Sequence, residues 1–286
     1  MTFSIVAADP VAEECGVAVA SKFLAVGSAV PWARAGVGAI ATQSYANTGY
    51  GPAGLDLLER GMDPHSVIGR LTSEDPGAAS RQAGIVDMQG RSATFSGSEC
   101  FSWYGGKTAQ NVAAQGNILV GEETVTAMLE TFQSTTGTLV TRLLAALTAG
   151  ERAGGDRRGK QSAALLIVKP HGGYGGFNDR YLDLRVDDHP DPVLELTRIA
   201  SLWRLYYEKP SEGDLVSIDG HLASELRSGL RRLGFDPAMQ GAWNDQDRKA
   251  FTAFAEIENL EDRLRDDGKT DQQVLAYFRE RVNSAR

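Results

Sequence analysis

With 286 residues, 42% hydrophobic and 23% charged, the chain can bury one large core, or a core domain with a small appendage. Its 29 basic and 37 acidic residues leave a net charge of −8, which argues against nucleic acid or an anionic membrane as the main partner. Two cysteines, Cys15 and Cys100, with no CxxC spacing and no nearby histidine pair, argue against a disulfide scaffold and fit a reduced compartment.

The opening stretches TFSIVAAD, CGVAVASKF and GVGAIATQSYA are rich in Val, Ile, Ala and Phe and read as three strands, broken by DPVAEE and VPWARAG. Their nearly continuous apolar runs predict strands covered on both faces. GPAGLDLLERGM and DPHSVIGRLTSEDP carry apolar residues at helical spacing and predict two short helices. RQAGIVDMQGRSATFSG reads as a hairpin turning at Gln89-Gly90. Helices are expected from Glu122 to Ser134 and from Thr138 to Ala149. QSAALLIVKP and YLDLRVDDHP supply further strands, and a helix from Pro192 to about Tyr207 closes the domain. This order lacks βαβ alternation and predicts two sheets face to face with helices outside, a four-layer α/β/β/α arrangement. Beyond Lys209-Pro210 the sequence becomes charge-dense and helical, with Leu222, Leu226, Leu230 and Leu233 on one stripe and Phe251, Phe254 and Ile257 on another. The expected domains are therefore 1–208 and 209–286, the second a small helical bundle.

Thr2 directly follows the initiator methionine, which is normally trimmed before a small residue. The mature chain would then carry a free α-amine beside a hydroxyl. A threonine hydroxyl needs a base within hydrogen-bond reach, and an α-amine with a reference pKa of about 7.7 to 8.0 can serve. The plainer alternative is a β-prone residue at a strand start. Lys22, beside Ser21 at the end of the second strand, is either a charge that tunes the nucleophile or a solvated strand end. Gln43, Ser44 and Asn47 lie in TQSYANTGYG, where such groups orient an amide or donate to an oxyanion, or else cap a turn. Asp156, Arg157 and Arg158 form either a carboxylate-binding cluster or an internal ion-pair network. GGYGGFND lacks the Lys-Ser/Thr of a P-loop and reads as a hairpin turn. Asp183, Asp187, Asp188 and His189 read as a solvated strand edge, and no metal site or cofactor is expected.

The pieces MTFSIVA, GVAVASKF, VPWARAGVGAIATQSYAN, YGPAGLDLL, GSEC, QGNIL, GGDRRGKQSAALL and DLRVDDHPDPV, in this order, resemble the domain of unknown function 1028 family from Thr2 to about Tyr207. That family is similar in fold to the N-terminal-nucleophile hydrolases, so the resemblance implies an amide-hydrolase architecture with Thr2 as nucleophile. It also implies Lys22 as the tuning charge, and Gln43, Asn47, Gln115 and Asn117 as oxyanion or substrate contacts. Ser21, Ser44, Asp156 and Arg158 complete the candidate substrate-binding set. LRSGLRRLGFDPAMQGAWNDQDRKAFTAFAEIENLEDR resembles a peptidoglycan-binding module.

The expected function is an amidohydrolase acting on a small amide or ureido carbonyl. The alternative is a non-catalytic protein binding a small ligand or a peptidoglycan fragment. No basic, apolar secretory leader and no run of roughly 18 to 20 apolar residues is present, so the expectation is a cytoplasmic protein. A wall-binding module would need export, and the tail is therefore read as an accessory or oligomerisation domain of a homo-oligomer.

Overall fold

The computed structural model describes residues 2–285. Its chain divides into two compact units between Ile199 and Ala200, earlier than the boundary expected after residue 208. The first unit is mixed α/β with antiparallel sheets.

The larger sheet has six strands: β1 (Thr2–Asp9), β2 (Glu14–Ser21), β7 (Tyr104–Ala109), β8 (Val112–Asn117), β9 (Ser162–Val168) and β10 (Arg180–Val186), in the order β10-β9-β2-β1-β8-β7. The smaller sheet, β3-β4-β5-β6, contains β3 (Pro31–Arg34), β4 (Gly38–Ser44), β5 (Arg81–Asp87) and β6 (Ser92–Ser96). β1 and β2 contact β4, and β8 contacts β5, so the sheets face one another. The helices α1 (Tyr50–Glu59) and α2 (Pro64–Ser73) lie on the smaller sheet. On the outer face of the larger one lie α3 (Glu123–Ser134) and α4 (Leu139–Arg152).

Covering both faces explains the apolar runs that mark β1, β2 and β4. The layer between the sheets holds Val6, Ala8, Val17, Val19, Ala39, Ala41, Val86, Ala113 and Ala164. Under α1 and α2 the alternate residues Ile40, Ala83 and Ile85 pack with Leu55, Val67 and Leu71. The small residues between the sheets permit their close approach, since Cβ size sets the spacing of packed layers.

One expectation needs correction, and one strand is added. VPWARAG is not merely a break, for it contains β3, an edge strand that begins with Pro31, where a missing N–H costs no ladder bond. The glycine-rich YGGKTA stretch is the edge strand β7, in which a Cβ on Gly106 would meet Thr94 Oγ1 at 2.7 Å. The segment around GGYGGFND is a hairpin connection, closed by Lys169 N donating to Asp179 O at 2.9 Å before edge strand β10.

α5 (Pro192–Tyr207) runs across the division. The second unit contains α6 (Gly220–Arg232), α7 (Asp245–Ile257) and α8 (Gln272–Ser284). It also has a short ribbon, absent from the sequence reading, of β11 (Leu215–Ser217) and β12 (Lys269–Asp271). Leu222, Leu226, Leu230, Phe251, Phe254 and Phe278 form its core. Asp219, Asn244 and Asp271 cap the three helices by accepting backbone N–H bonds. Ile257 departs from the expected stripe: it ends α7 and is 69% exposed.

Candidate functional site

Side chains alternate along each strand, so the face that supplies the inter-sheet core can be followed to its end. On β1 that face runs Ala8, Val6, Ser4, Thr2; on β8 it runs Ala113, Gln115, Asn117. On β4 it ends at Gln43, on β5 at Gln82, on β2 at Ser21 and on β9 at Ser162. One end of the layer is therefore apolar and the other is polar. Thr2 lies at the polar end, 6% exposed.

Thr2 pairs in register with Asn117 of β8, while the ladder between β1 and β2 begins one residue later, at Phe3↔Ala20. Thr2 Oγ1 is 3.1 Å from Ser21 Oγ. Two residues further on, Ser4 Oγ donates to Gln43 Oε1 at 2.6 Å across the sheets and accepts from Gln115 Nε2 at 2.7 Å. Gln43 Nε2 donates to Gln82 Oε1 at 2.8 Å and reaches the carbonyls of Thr2 and Gln115 at 3.3 and 3.4 Å. Asn117 Nδ2 donates to the same Gln82 oxygen at 2.8 Å, and Gln82 Nε2 donates to Gly116 O at 2.7 Å. Buried amides of this kind hold geometry because an unmade bond in the interior costs the full desolvation of its group. Two buried acceptors, Gln115 Oε1 and Asn117 Oδ1, have no donor among the described residues.

The remaining candidates occupy the surroundings in different ways. Lys22 is exposed, and its ammonium donates to Lys160 O at 3.3 Å. Its backbone N–H, by contrast, donates to buried Asp156 Oδ2 at 2.8 Å, which fixes the turn just after Ser21. Arg158 closes on the same carboxylate, its N–H at 2.9 Å and its Nη2 at 3.3 Å. Asp156 and Arg158 thus form an ion pair within the loop. Ser44 ends β4 in the left-handed region, with φ 70°. Asn47 turns away from the amide network, donating Nδ2 to Asp75 Oδ2 at 3.1 Å.

Asp75 is a second hub, not anticipated from the sequence. It accepts from Arg81 Nε and Tyr50 Oη, both at 2.9 Å, and from the backbone N–H of Gly77 at 2.8 Å. The Arg81 guanidinium, helped by Asn47, holds this carboxyl well below its usual range. Burial and the Asp75 bond push the Tyr50 hydroxyl upward, so it stays protonated as a donor.

Burial pushes the Cys15 thiol up to about 12, leaving negligible thiolate at neutral pH. Among the described residues, no group of three His, Cys, Asp or Glu side chains is placed to hold a metal ion. Asp183, at the solvated strand edge, pairs with Arg185 at 2.9 Å. No helix among the described residues is long and apolar enough to cross a membrane.

The polar end formed by β1, β2, β4, β5 and β8 is drawn entirely from the segment matching the model of a family of unknown function, DUF1028, at residues 2–196. The chain belongs to the DUF1028 family. A crystal structure of protein SPO2555 from Silicibacter pomeroyi, also matched by the DUF1028 model, is similar to it at 35% identity and a TM-score of 0.65. That similarity covers 71% of this chain and 86% of the other. Following the DUF1028 segment, residues 206–278 match the model described as "Putative peptidoglycan binding domain". None of the curated proteins compared with the chain matches it.

Proposed function

We propose that this DUF1028 protein is an amidohydrolase of the N-terminal-nucleophile type, with Thr2 as its nucleophile. The observation that carries the reading is the position of the Thr2 hydroxyl at the polar end of a layer between two sheets, 3.1 Å from Ser21 Oγ. The succession of helices, two facing sheets and helices supports it. Removal of Met1, which lies outside the described residues, would free the Thr2 α-amine as the local base.

In this mechanism the Thr2 hydroxyl proton passes to the α-amine as Oγ1 attacks the carbonyl carbon of a small amide or ureido group. The tetrahedral oxyanion collapses, the C–N bond breaks, and the departing nitrogen takes the proton from the α-ammonium. Water, deprotonated by the same amine, then attacks the ester on Oγ1, releases the acid and restores the hydroxyl. Asn117 Oδ1, a buried acceptor without a donor and the register neighbour of Thr2, is suited to receive an N–H of the substrate amide. Gln43, Gln82 and Gln115 act as positioning residues, since their amide nitrogens are spent on the scaffold. Lys22 contributes chiefly through its backbone anchor, because an exposed ammonium is screened by solvent.

Turnover of small amides, carbamoyl compounds and lactams by the full chain tests the reading. Thr2→Ala should lower kcat by at least about 10³-fold, whereas Thr2→Ser should retain measurable turnover and Lys22→Met should change it by less than about threefold. Undiminished turnover in Thr2→Ala, with the fold intact by circular dichroism, would overturn it.

A further inference from the structure

The loops at the polar end of the inter-sheet layer carry apolar side chains into solvent. Phe23 and Leu24 follow β2, Tyr45 follows β4, Phe101 precedes β7 and Val120 follows β8, and all five are exposed. In the larger sheet β1 lies between β2 and β8, so Thr2 begins its strand with Phe23 beyond the end of one neighbour and Phe101 beyond the end of the other. Phe101 is tied there by its carbonyl, which accepts the N–H of Ile118 at 2.9 Å, one residue past Asn117, the register partner of Thr2. Tyr45 stands two residues past Gln43, whose Nε2 reaches the Thr2 carbonyl. The Tyr45 and Phe101 rings meet with 6.1 Å between centroids and 51° between planes, and so link the loop after β4 of the smaller sheet to the end of β8 in the larger one.

This rim is held in place although its side chains are in water. The Tyr45 N–H donates to Ser80 O at 3.2 Å, and the Tyr45 carbonyl accepts from Arg81 Nη1 at 2.7 Å. Arg81 is itself fixed by Asp75, which gives that hub a task beside the site. On the other flank Ser162 Oγ donates to Phe23 O at 2.5 Å and accepts the Val26 N–H at 3.0 Å. The chain leaves β4 at Ser44 with φ 70° and leaves β8 at Ile118 with φ 51°. A left-handed conformation is costly for a β-branched side chain and persists where the surroundings impose it, here through Ile118 O accepting the Arg157 N–H at 3.2 Å as well as through Phe101 O. Ordering exposed rings in this way gains the fold little, because their apolar area stays in water. That area is open to a ligand, and two tilted rings offer a third ring both an edge and a face.

We propose that the Tyr45–Phe101 pair selects amides bearing an aromatic ring, which lies against the two rings while the amide carbonyl meets Thr2 Oγ1. The assignment deepens the Thr2 reading and rests on it for turnover, though not for binding. The ring is attached either on the acyl side of the amide or on its nitrogen, and the probes separate the two.

Ligand-observed NMR titration of the full-length Thr2→Ala protein reads binding without turnover. The probes are 3-phenylpropionamide, N-benzylpropionamide, 3-cyclohexylpropionamide and propionamide. The better phenyl amide is expected to bind at least about ten-fold more tightly than propionamide and about three-fold more tightly than the cyclohexyl amide, and it identifies the side that carries the ring. Tyr45→Ser and Phe101→Ser, both changes of exposed residues, should each cut the ten-fold margin below about three-fold with the thermal midpoint nearly unchanged, whereas Tyr45→Phe should keep it. Tyr174→Ser with Phe177→Ser, two exposed rings of the hairpin between β9 and β10, should leave the margin intact. Equal binding of propionamide and both phenyl amides, or an equal loss in the hairpin variant, overturns the proposal, and a cyclohexyl amide that binds as well as the phenyl amides overturns the aromatic assignment. If Phe101→Ser changes the sedimentation coefficient while the margin persists, the pair is a contact between copies of the chain and the proposal is overturned. Loss of wild-type turnover with the binding margin kept would sink the Thr2 reading alone, and turnover without the margin would sink the rim alone.

Discussion

Ser4 of β1 donates its hydroxyl to Gln43 Oε1 of β4 at 2.6 Å, joining the two sheets two residues from the Thr2 hydroxyl. Ser4 Oγ in turn accepts from Gln115 Nε2 at 2.7 Å, so one small side chain orders three strands. Replacing Ser4 with Ala leaves the Gln43 oxygen and the Gln115 amide without their partner in the interior. The expected loss is about 1–3 kcal/mol, read as a lower urea midpoint with an unchanged m value. Gly84→Ala should act on the same network, because its Cβ would stand 1.9 Å from Gln115 Oε1. A lost Ser4 hydroxyl should also reduce turnover, since Gln43 Nε2 holds the Thr2 carbonyl.

The Asp75 hub predicts an acid-side stability limit. Arg81, Asn47, Gly77 and Tyr50 all donate to this carboxylate and depress its folded pKa below the unfolded value of about 3.9. A depressed carboxyl contributes stability that is fully present above the unfolded pKa and is lost as pH falls toward the folded one. Wild type should therefore lose stability progressively as pH drops below about 4, and Asp75→Asn should be less stable at neutral pH with a flatter acid dependence. Thermal melts from pH 7 to pH 3 decide this; parallel curves for the two proteins would contradict it.

In the second unit Arg227 and Asp247 form a buried ion pair with Nη2–Oδ2 at 2.5 Å, and Arg227 also donates to the carbonyls of Gly241 and Ala242 at 2.9 Å. Asp247 further accepts the backbone N–H of Ala238 at 3.0 Å. Removing either partner strands a buried charge, so Arg227→Ala or Asp247→Ala should cost about 3–5 kcal/mol. Denaturant unfolding followed by tryptophan fluorescence, to which Trp203 and Trp243 contribute from this unit, reads the change. A shift below about 1 kcal/mol would show that the pair is dispensable.

How much of this was legible in the sequence depends on whether the signal is periodic. β1, β2 and β4 are legible because burial on both faces requires unbroken apolar or small residues, and the leucines of α6 because they recur at helical spacing. β3 and β7 are obscured because edge strands tolerate Pro31 and Gly105-Gly106, which otherwise signal loops. At the site, the sequence marks Gln43, Gln115 and Asn117, and they converge as members of one buried amide network. Ser4 and Gln82 carry a sequence signal too, since they occupy the same alternating face as Val6 and Val86. The Asp75 hub had no such signal, since Asn47, Tyr50, Asp75 and Arg81 come together only through the tertiary fold.

If Thr2 offers its own amine and hydroxyl to a carbonyl carbon, the intact mass of the purified full chain will show it. The expected chain begins at Thr2 and, with a turned-over amide, gains one acyl group on that residue and loses it to hydroxylamine, while Thr2→Ala gains none. Turnover by a chain that keeps Met1, or an acyl group that survives the Thr2→Ala change, would contradict it.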